Sequence, residues 1–189
     1  MSSYNQCMSN GDAKQLIKLL HHRWAVPVLA ELRRSQGAKF ITLVNRLNVS
    51  RDSLRHTLSA LIENAWVVRN PGYGHPLRPE YLLSPAGEKL APWCHRIMVV
   101  LTRLGIEDIA LRKWSLPVIL ALREGLERFS EVKKFLPGMT PRSLTLTLKQ
   151  LEQSGLVNRF VSDGYPPSSH YRLTARGRKI SAILVGLPV

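Results

Sequence analysis

The sequence predicts a mainly helical α+β protein in which one domain occurs twice. Of its 189 residues, 44% are hydrophobic and 21% are charged, a composition typical of chains that fold around apolar cores. The segment at residues 23–29 (Arg-Trp-Ala-Val-Pro-Val-Leu) recurs at residues 113–119 (Lys-Trp-Ser-Leu-Pro-Val-Ile). Apolar residues at helical spacing are followed by short runs between glycine and proline turns, which indicates helices joined to small β-ribbons.

The repeat continues along most of the chain at a spacing of 90 residues, as from Trp24 to Trp114. The spacing drops to 89 between residues 40 and 47, and it returns to 90 because a Pro-Gly pair replaces Asn48. Such one-residue changes are tolerated in turns but not within helices or strands. The sequence therefore predicts two domains, at residues 12–90 and 111–187, joined by a helical connector at residues 91–110.

The second copy is predicted to form three helices, a two-stranded ribbon and one further helix. Helices are predicted where apolar residues recur at three- and four-residue steps, as at Leu144, Leu148 and Leu151. Capping residues, glycines and turn sequences set the ends of the elements. In chain order they are a helix from Trp114 to Gly125, a helix at 130–135, a helix from the Thr140 cap and Pro141 to Gly155, a strand at 156–161, a turn at 163–167, a strand at 170–173 and a helix from the Thr174 cap.

The first copy repeats this order. Its elements are a helix to residue 34, a helix at 42–47, a helix from the Ser50 cap to residue 64, and strands at 66–69 and 80–83. Residues 85–110 have a mostly helical pattern, which Pro92 and Gly105 are expected to bend or interrupt. Three helices followed by a two-stranded ribbon is the order of a winged helix-turn-helix domain. The predicted fold is thus two tandem winged helix-turn-helix domains with small β wings, held in one fixed relation.

The charge of the chain indicates a polyanionic partner. The 27 Lys and Arg against 13 Asp and Glu give a net charge of +14. Residues 1–110 carry 14 basic and 8 acidic side chains, and residues 111–189 carry 13 and 5, so both copies are basic. A chain with this much like charge repels itself unless a polyanion neutralises it. Nucleic acid is the first candidate and a membrane surface the second.

The sequence also predicts a compartment. The first residues lack the basic start and apolar run of a secretory signal. The apolar runs are far shorter than the roughly 18–20 residues that cross a bilayer. Cys7 and Cys94 cannot build a disulfide framework and are typical of a reducing environment. We therefore expect a cytoplasmic protein, associated with the nucleoid, that does not bind a membrane.

Particular residues of the second copy resemble the bacterial HxlR-type regulators, which are related to the MarR group. The similar segments are Lys113-Trp114, residues 128–131, 136–140, 144–145 and 151–159, Pro166-Pro167, residues 171–174 and Gly177. Members of that family are usually single-domain proteins that act on DNA as homodimers. The resemblance implies that this chain is a covalent pseudo-dimer whose partner is double-stranded DNA.

The first copy has diverged from the family pattern. It has Ala65-Trp66 where the family has Gly-Leu, and Ser84-Pro85 where the family has Leu-Thr and a small residue. Many members carry a cysteine about a dozen residues before the Lys-Trp pair, and some use it as a redox sensor. Cys7 lies 17 residues before Trp24 and Cys94 lies 20 before Trp114, so redox sensing is not expected.

The third helix of each copy is predicted to enter the major groove of DNA. A recognition helix exposes polar side chains in its first turns while its other face packs on the core. With the leucines turned inward, the candidate contacts are Arg51, Ser53, Arg55 and His56 in the first copy and Arg142, Ser143, Thr145 and Lys149 in the second. Arg51 or Arg55 could bind guanine through two hydrogen bonds. The alternative is that these side chains form an ordinary solvated helix face.

The ribbons supply a second set of candidate DNA contacts. The wings at residues 70–79 and 162–169 would reach the minor groove or the phosphate backbone. The candidate contacts are Tyr73, His75 and Arg78 in the first copy and Tyr165, His170 and Arg172 in the second. Alternatively, Tyr73 and Tyr165 pack beneath the wings.

No catalytic, metal or cofactor site is predicted. Trp24 and Trp114 are expected to be core residues, and neither His21-His22 nor Cys94-His95 has the paired spacing of a zinc site. We therefore expect a transcriptional regulator, not an enzyme, in which two recognition helices read an imperfect palindrome in adjacent major grooves. The alternative is a protein-interaction module that binds RNA polymerase or another regulator. The sequence leaves open whether a small-molecule effector binds.

Overall fold

The computed structural model of the chain describes residues 10–71, 79–162, 168–184 and 186–188, with side chains from residue 14 onward. Within these residues it is mainly helical, with two antiparallel sheets of two strands each. This architecture confirms the predicted fold class. By contacts, the chain divides into a unit of Leu19–Arg103 and a unit that joins Leu104–Leu187 to the described residues up to Lys18.

The first unit contains the first copy of the repeat. Its elements are α2 (Ala25–Ser35), α3 (Phe40–Leu47), α4 (Arg51–Glu63), β1 (Val67–Arg69), β2 (Tyr81–Leu83) and α5 (Pro85–Leu104). They are preceded by α1 (Asn10–Leu20), which is not among the elements predicted from the sequence. The side chains of Leu16, Leu19 and Leu20 in α1 are buried at helical spacing, a signal that the sequence does carry.

The second unit contains the second copy. After α6 (Glu107–Ala110), its elements are α7 (Ser115–Arg123), α8 (Phe129–Phe135), α9 (Pro141–Gln153), β3 (Val157–Ser162), β4 (Ser168–Leu173) and α10 (Ala175–Leu184). These bounds lie within about two residues of the predicted ones. No helix among the described residues of either unit is both long enough and apolar enough to cross a membrane.

The sequence predicts that Pro92 bends or interrupts the helix between the copies. Pro92 does not interrupt the helix, because α5 continues through it for 20 residues and runs across the predicted boundary between residues 90 and 91. The buried side chains of Trp93, Ile97 and Leu101 supply apolar packing that offsets the cost of an internal proline. Gly105, with a φ of +63°, ends the helix as expected.

Each ribbon is held to the following helix in the same way. Thr174 Oγ1 accepts a hydrogen bond from the Gly177 N–H (3.1 Å) and donates to the Gly155 carbonyl (2.8 Å). A Cβ atom on Gly177 would collide with the carbonyl oxygen of Leu156, so this position requires glycine. The first turn of α10 therefore packs directly against Leu156, the residue that precedes β3.

The diverged first copy keeps this arrangement with different residues. Ser84 Oγ accepts from the Gly87 N–H (3.0 Å) and donates to the Ala65 carbonyl, and a Cβ on Gly87 would collide with the carbonyl of Trp66. The serine hydroxyl does what the threonine hydroxyl does in the second copy. Divergence at residues 84–85 thus preserves the helix cap.

The first copy also contains a buried carboxylate that the second lacks. Glu31 on α2 is one-tenth exposed and accepts hydrogen bonds from Arg34 Nε (2.8 Å) and from Arg46 Nη1 on α3 (2.7 Å). Burial by itself would raise the pKa of this carboxyl group, but the bonds from the two arginines hold it below its ordinary value. The repeat puts Ala121 at the position equivalent to Glu31, so the second copy has no carboxylate at that position.

One residue of the first copy adopts an unfavourable backbone conformation. Ala65 follows α4 with a φ of +55°, and the equivalent residue after α9 is Gly155, with a φ of +65°. Both turns close with the same hydrogen bonds, from Ala65 N to the Ile62 carbonyl (2.8 Å) and from Gly155 N to the Glu152 carbonyl (2.9 Å). The left-handed region costs an alanine about 1 kcal/mol more than a glycine.

We expect Ala65→Gly to raise the free energy of unfolding by about 1 kcal/mol, because it removes this backbone strain. The reverse change, Gly155→Ala, should lower it by a similar amount, since its Cβ would meet nothing closer than Arg176 at 3.9 Å. Urea unfolding of both variants measures the two effects. A neutral or destabilising Ala65→Gly, beside a destabilising Gly155→Ala, would contradict the prediction.

Candidate nucleic-acid interface

The helices α4 and α9 begin with equivalent capping structures. Ser50 Oγ accepts from the Ser53 N–H (3.3 Å), and Thr140 Oγ1 accepts from the Ser143 N–H (3.1 Å). In each case the hydroxyl of the capping residue also lies 2.9 Å from the hydroxyl of that serine. Both predicted caps are confirmed. Because the Ser53 and Ser143 hydroxyls take part in the caps, they are already engaged before any ligand arrives.

Three leucines fix the orientation of each helix. Leu54, Leu58 and Leu61 of α4 are at most 3% exposed, and their counterparts Leu144, Leu148 and Leu151 of α9 are at most 2% exposed. The remaining face of each helix therefore points to solvent. Exposed on it are Arg51, Asp52, Ser53, Arg55 and His56 in α4, and Arg142, Thr145 and Lys149 in α9, whereas Ser143 is half-buried.

The exposed face of α4 contains a close ion pair. Arg55 Nη1 lies 2.7 Å from Asp52 Oδ1, one helical turn away, and both side chains are largely exposed. A pair this open to water contributes little to stability. The ion pair does orient the side chain of Arg55, because the carboxylate of Asp52 binds one end of the guanidinium group.

The exposed face of α9 is less polar than the sequence suggested. Thr145 Oγ1 donates to the carbonyl of Pro141 (3.0 Å), so the hydroxyl is occupied within the helix. The next residue, Leu146, is 50% exposed. Leu146 was not a predicted contact. The signal was present, because this leucine lies outside the stripe formed by Leu144, Leu148 and Leu151.

The two ribbons differ in length. In the first copy, β1 and β2 pair over three residues, from Val67 with Leu83 to Arg69 with Tyr81. In the second copy, β3 and β4 pair over six, from Val157 with Leu173 to Ser162 with Ser168. Four predicted wing contacts, namely Tyr73, His75, Arg78 and Tyr165, lie outside the described residues.

The two remaining wing candidates both lie next to Glu127. Arg172 Nε donates to Glu127 Oε1 (2.6 Å), and the guanidinium group lies over the ring of Phe160, 5.6 Å from its centroid. His170 is half-buried, with Nε2 3.0 Å from Ser168 Oγ and Nδ1 3.9 Å from Glu127 Oε2. The hydrogen bond from Arg172 lowers the pKa of Glu127, so the carboxylate stays charged and competes with a phosphate for this arginine.

The sequence predicts that Trp24 and Trp114 are core residues. This prediction is wrong, because both side chains are only half-buried. Each lies beneath the cation that precedes it, with Arg23 at 5.6 Å and Lys113 at 5.3 Å from the ring centroids. The favourable contact between a cation and an aromatic face explains why these rings remain partly open to solvent.

His21, His22 and Cys94 carry side chains that are suited to metal binding or nucleophilic chemistry. The rings of His21 and His22 meet edge to face with centroids 5.1 Å apart, and the described residues contain no group of three or more His, Cys, Asp or Glu placed to hold a metal ion. Cys94 is fully buried, and burial raises the pKa of its thiol, which keeps the sulfur protonated and unreactive at neutral pH. Cys7 lies outside the described residues.

These features define a pair of winged helix-turn-helix domains. The family model for the HxlR-like helix-turn-helix matches residues 19–105 and again residues 109–188. The chain therefore belongs to the HxlR-like helix-turn-helix family and carries its domain twice. This agrees with the internal repeat.

Relatives occur in bacteria and archaea. An uncharacterised HTH-type transcriptional regulator of Synechocystis is 40% identical over 82 residues, which are 43% of this chain and 61% of that protein. One of Methanothermobacter thermautotrophicus is 44% identical over 75 residues, 40% of this chain and 57% of that protein. YtcD of Bacillus subtilis, also an uncharacterised regulator of this type, is 38% identical over 72 residues, 38% of this chain and 57% of that protein. The chain spans about three fifths of the length of these curated relatives.

We expect Ser50→Ala and Thr140→Ala each to lower the free energy of unfolding by about 1 kcal/mol, because each leaves a helix N-terminus without its cap. Ser59→Ala, on the exposed face of α4, is the matched control and should change it by less than about 0.5 kcal/mol. Urea unfolding monitored by circular dichroism measures all three. Equal losses for the cap variants and the control would show that the caps do not stabilise the helices.

Proposed function

We propose that this protein is a transcriptional regulator that binds double-stranded DNA in a sequence-specific manner through α4 and α9. The observation that carries the proposal is that the family domain occurs twice, and each copy turns a helix face with exposed cationic side chains toward solvent. The net charge of +14 favours a polyanionic partner for both copies. Binding to chromosomal DNA would associate the protein with the nucleoid in the cytoplasm.

The proposed binding mode is that of a pseudo-dimer within one chain. Dimeric helix-turn-helix proteins present two recognition helices to half-sites about 34–36 Å apart, on one face of the duplex. Domains at residues 12–90 and 111–187, joined by the helical segment at 91–110, would do the same without a second chain. Because the exposed residues of α4 and α9 differ, the preferred site would be an imperfect palindrome.

The exposed cations are the strongest candidates for contacts. Arg51 and Arg55 of α4 and Arg142 and Lys149 of α9 are all exposed. The hydroxyls of Ser53 and Ser143 are engaged in the caps, and Arg172 is engaged by Glu127, so these residues would contribute less. His56 and Thr145 complete the groove-facing set. The wing residues Tyr73, His75, Arg78, Tyr165 and His170 are retained as proposed contacts to the minor groove or backbone.

A second candidate function for the first copy is protein binding, with RNA polymerase or another regulator as the partner. One observation favours it: the charges of α4 balance, since Asp52 and Glu63 offset Arg51 and Arg55. If Arg51→Ala and Arg55→Ala leave the affinity for DNA and the footprint unchanged, the first copy does not read DNA.

The proposal predicts that Arg142→Ala and Lys149→Ala weaken DNA binding and flatten its salt dependence. Each lost phosphate contact should reduce the slope of log K against log salt concentration by about 0.9. Lys179→Ala, an exposed lysine on α10, is the matched control for the change in charge and should leave the slope nearly unaltered. Fluorescence anisotropy with a selected duplex at several salt concentrations measures both. Equal slopes for the wild type and all three variants would contradict the proposal.

A further inference from the structure

The two recognition helices carry different chemistry at equivalent positions. The repeat aligns Arg55 and His56 of α4 with Thr145 and Leu146 of α9, and Asp52 with Arg142. All six of these side chains are exposed. The leucine stripes that orient the helices are the same in both copies, so these three differences lie on the exposed face.

We infer that α4 reads guanine and that α9 reads the methyl groups of thymine, so that the two half-sites of the DNA differ in base composition. The inference rests on the proposed function, which it deepens by naming what each half-site contains. In the major groove, guanine presents two acceptors, N7 and O6, whereas thymine presents the C5-methyl group beside its O4 acceptor.

The face of α9 fits thymine because it presents methyl groups between two cations. Leu146 is 50% exposed, and it follows Arg142 by four residues and precedes Lys149 by three, so the three side chains share one helix face. The hydroxyl of Thr145 donates to the carbonyl of Pro141, so the methyl group of Thr145 is the part of this side chain that can contact a base. Burial of these groups against the thymine methyl would remove apolar surface from water, while the flanking cations reach phosphates.

The face of α4 fits guanine because it presents an oriented guanidinium group. Asp52 binds one nitrogen of Arg55 at 2.7 Å, which leaves the other N–H groups free to donate to N7 and O6. Arg51 lies one turn earlier on the same face. The second copy has Arg142 where the first has Asp52, so α9 has no carboxylate at this position. Asp52 is therefore a positioning residue for Arg55.

Base analogues that alter single groups test the inference directly. The full chain first selects its preferred duplex from a random pool. Each thymine of that duplex is then replaced in turn by uracil, which removes only the C5-methyl group. Each guanine is replaced in turn by 7-deazaguanine, which removes only the N7 acceptor. We expect uracil to weaken binding about fourfold in one half-site. We expect 7-deazaguanine to weaken it about tenfold in the other.

Variants then assign each half-site to a helix. Leu146→Ala should reduce the sensitivity to uracil and leave the sensitivity to 7-deazaguanine intact, whereas Arg55→Ala should reduce the sensitivity to 7-deazaguanine and leave the sensitivity to uracil intact. Asp52→Asn should reduce the 7-deazaguanine effect while the uracil effect persists. The double variant Arg55→Thr with His56→Leu gives α4 the residues that α9 has at these two positions. It should make both half-sites sensitive to uracil. All of these positions are exposed, and thermal unfolding checks that each variant folds.

The outcomes separate this inference from the function on which it rests. Failure of the pool to enrich any sequence would overturn both. A selected site that is insensitive to uracil, or equally sensitive in both half-sites, would overturn the inference and leave DNA binding standing. The inference is likewise overturned, with DNA binding left standing, if Leu146→Ala leaves the uracil effect unchanged.

Discussion

The burial of three leucines on each of α4 and α9 is the constraint on which the rest of the structure depends. Leu54, Leu58 and Leu61, and their counterparts in α9, are almost completely removed from water. Since each buried leucine contributes about 1.5–3 kcal/mol relative to an exposed one, the helix cannot rotate about its axis without losing several kcal/mol. The identity of the solvent-facing residues follows from this packing, and so does any surface that the helix offers to a ligand.

The two copies share a scaffold, and their third helices differ on the exposed face. Ser84 and Thr174 cap the following helix in the same way, and the glycines after them allow the same close approach. The positive φ of Ala65 is retained although glycine would adopt it more easily. The exposed positions, by contrast, have changed from Arg-His to Thr-Leu between the copies. Packing restricts what a duplicated domain can change, and the surface is free to diverge.

The sequence predicted what depends on periodicity and capping, and missed what depends on tertiary contact. The helices α4 and α9, their caps and their leucine stripes follow from local patterns. Pro92 does not interrupt α5, because buried neighbours in that helix offset the cost of the missing hydrogen bond. The tryptophans were misplaced because a neighbouring cation can cover a ring that the core does not. The pairing of Arg172 with Glu127 joins residues 45 apart, and no local pattern announces it.

We propose that one chain supplies both recognition helices for one DNA site. The mass of the protein–DNA complex and its hydroxyl-radical footprint test this proposal most directly. The mass gives the number of chains bound, and the footprint gives the number of grooves contacted. We expect one chain per duplex and two protected stretches of different sequence, about 34–36 Å apart. Two chains on that same footprint, or one chain with a single protected stretch, would contradict it.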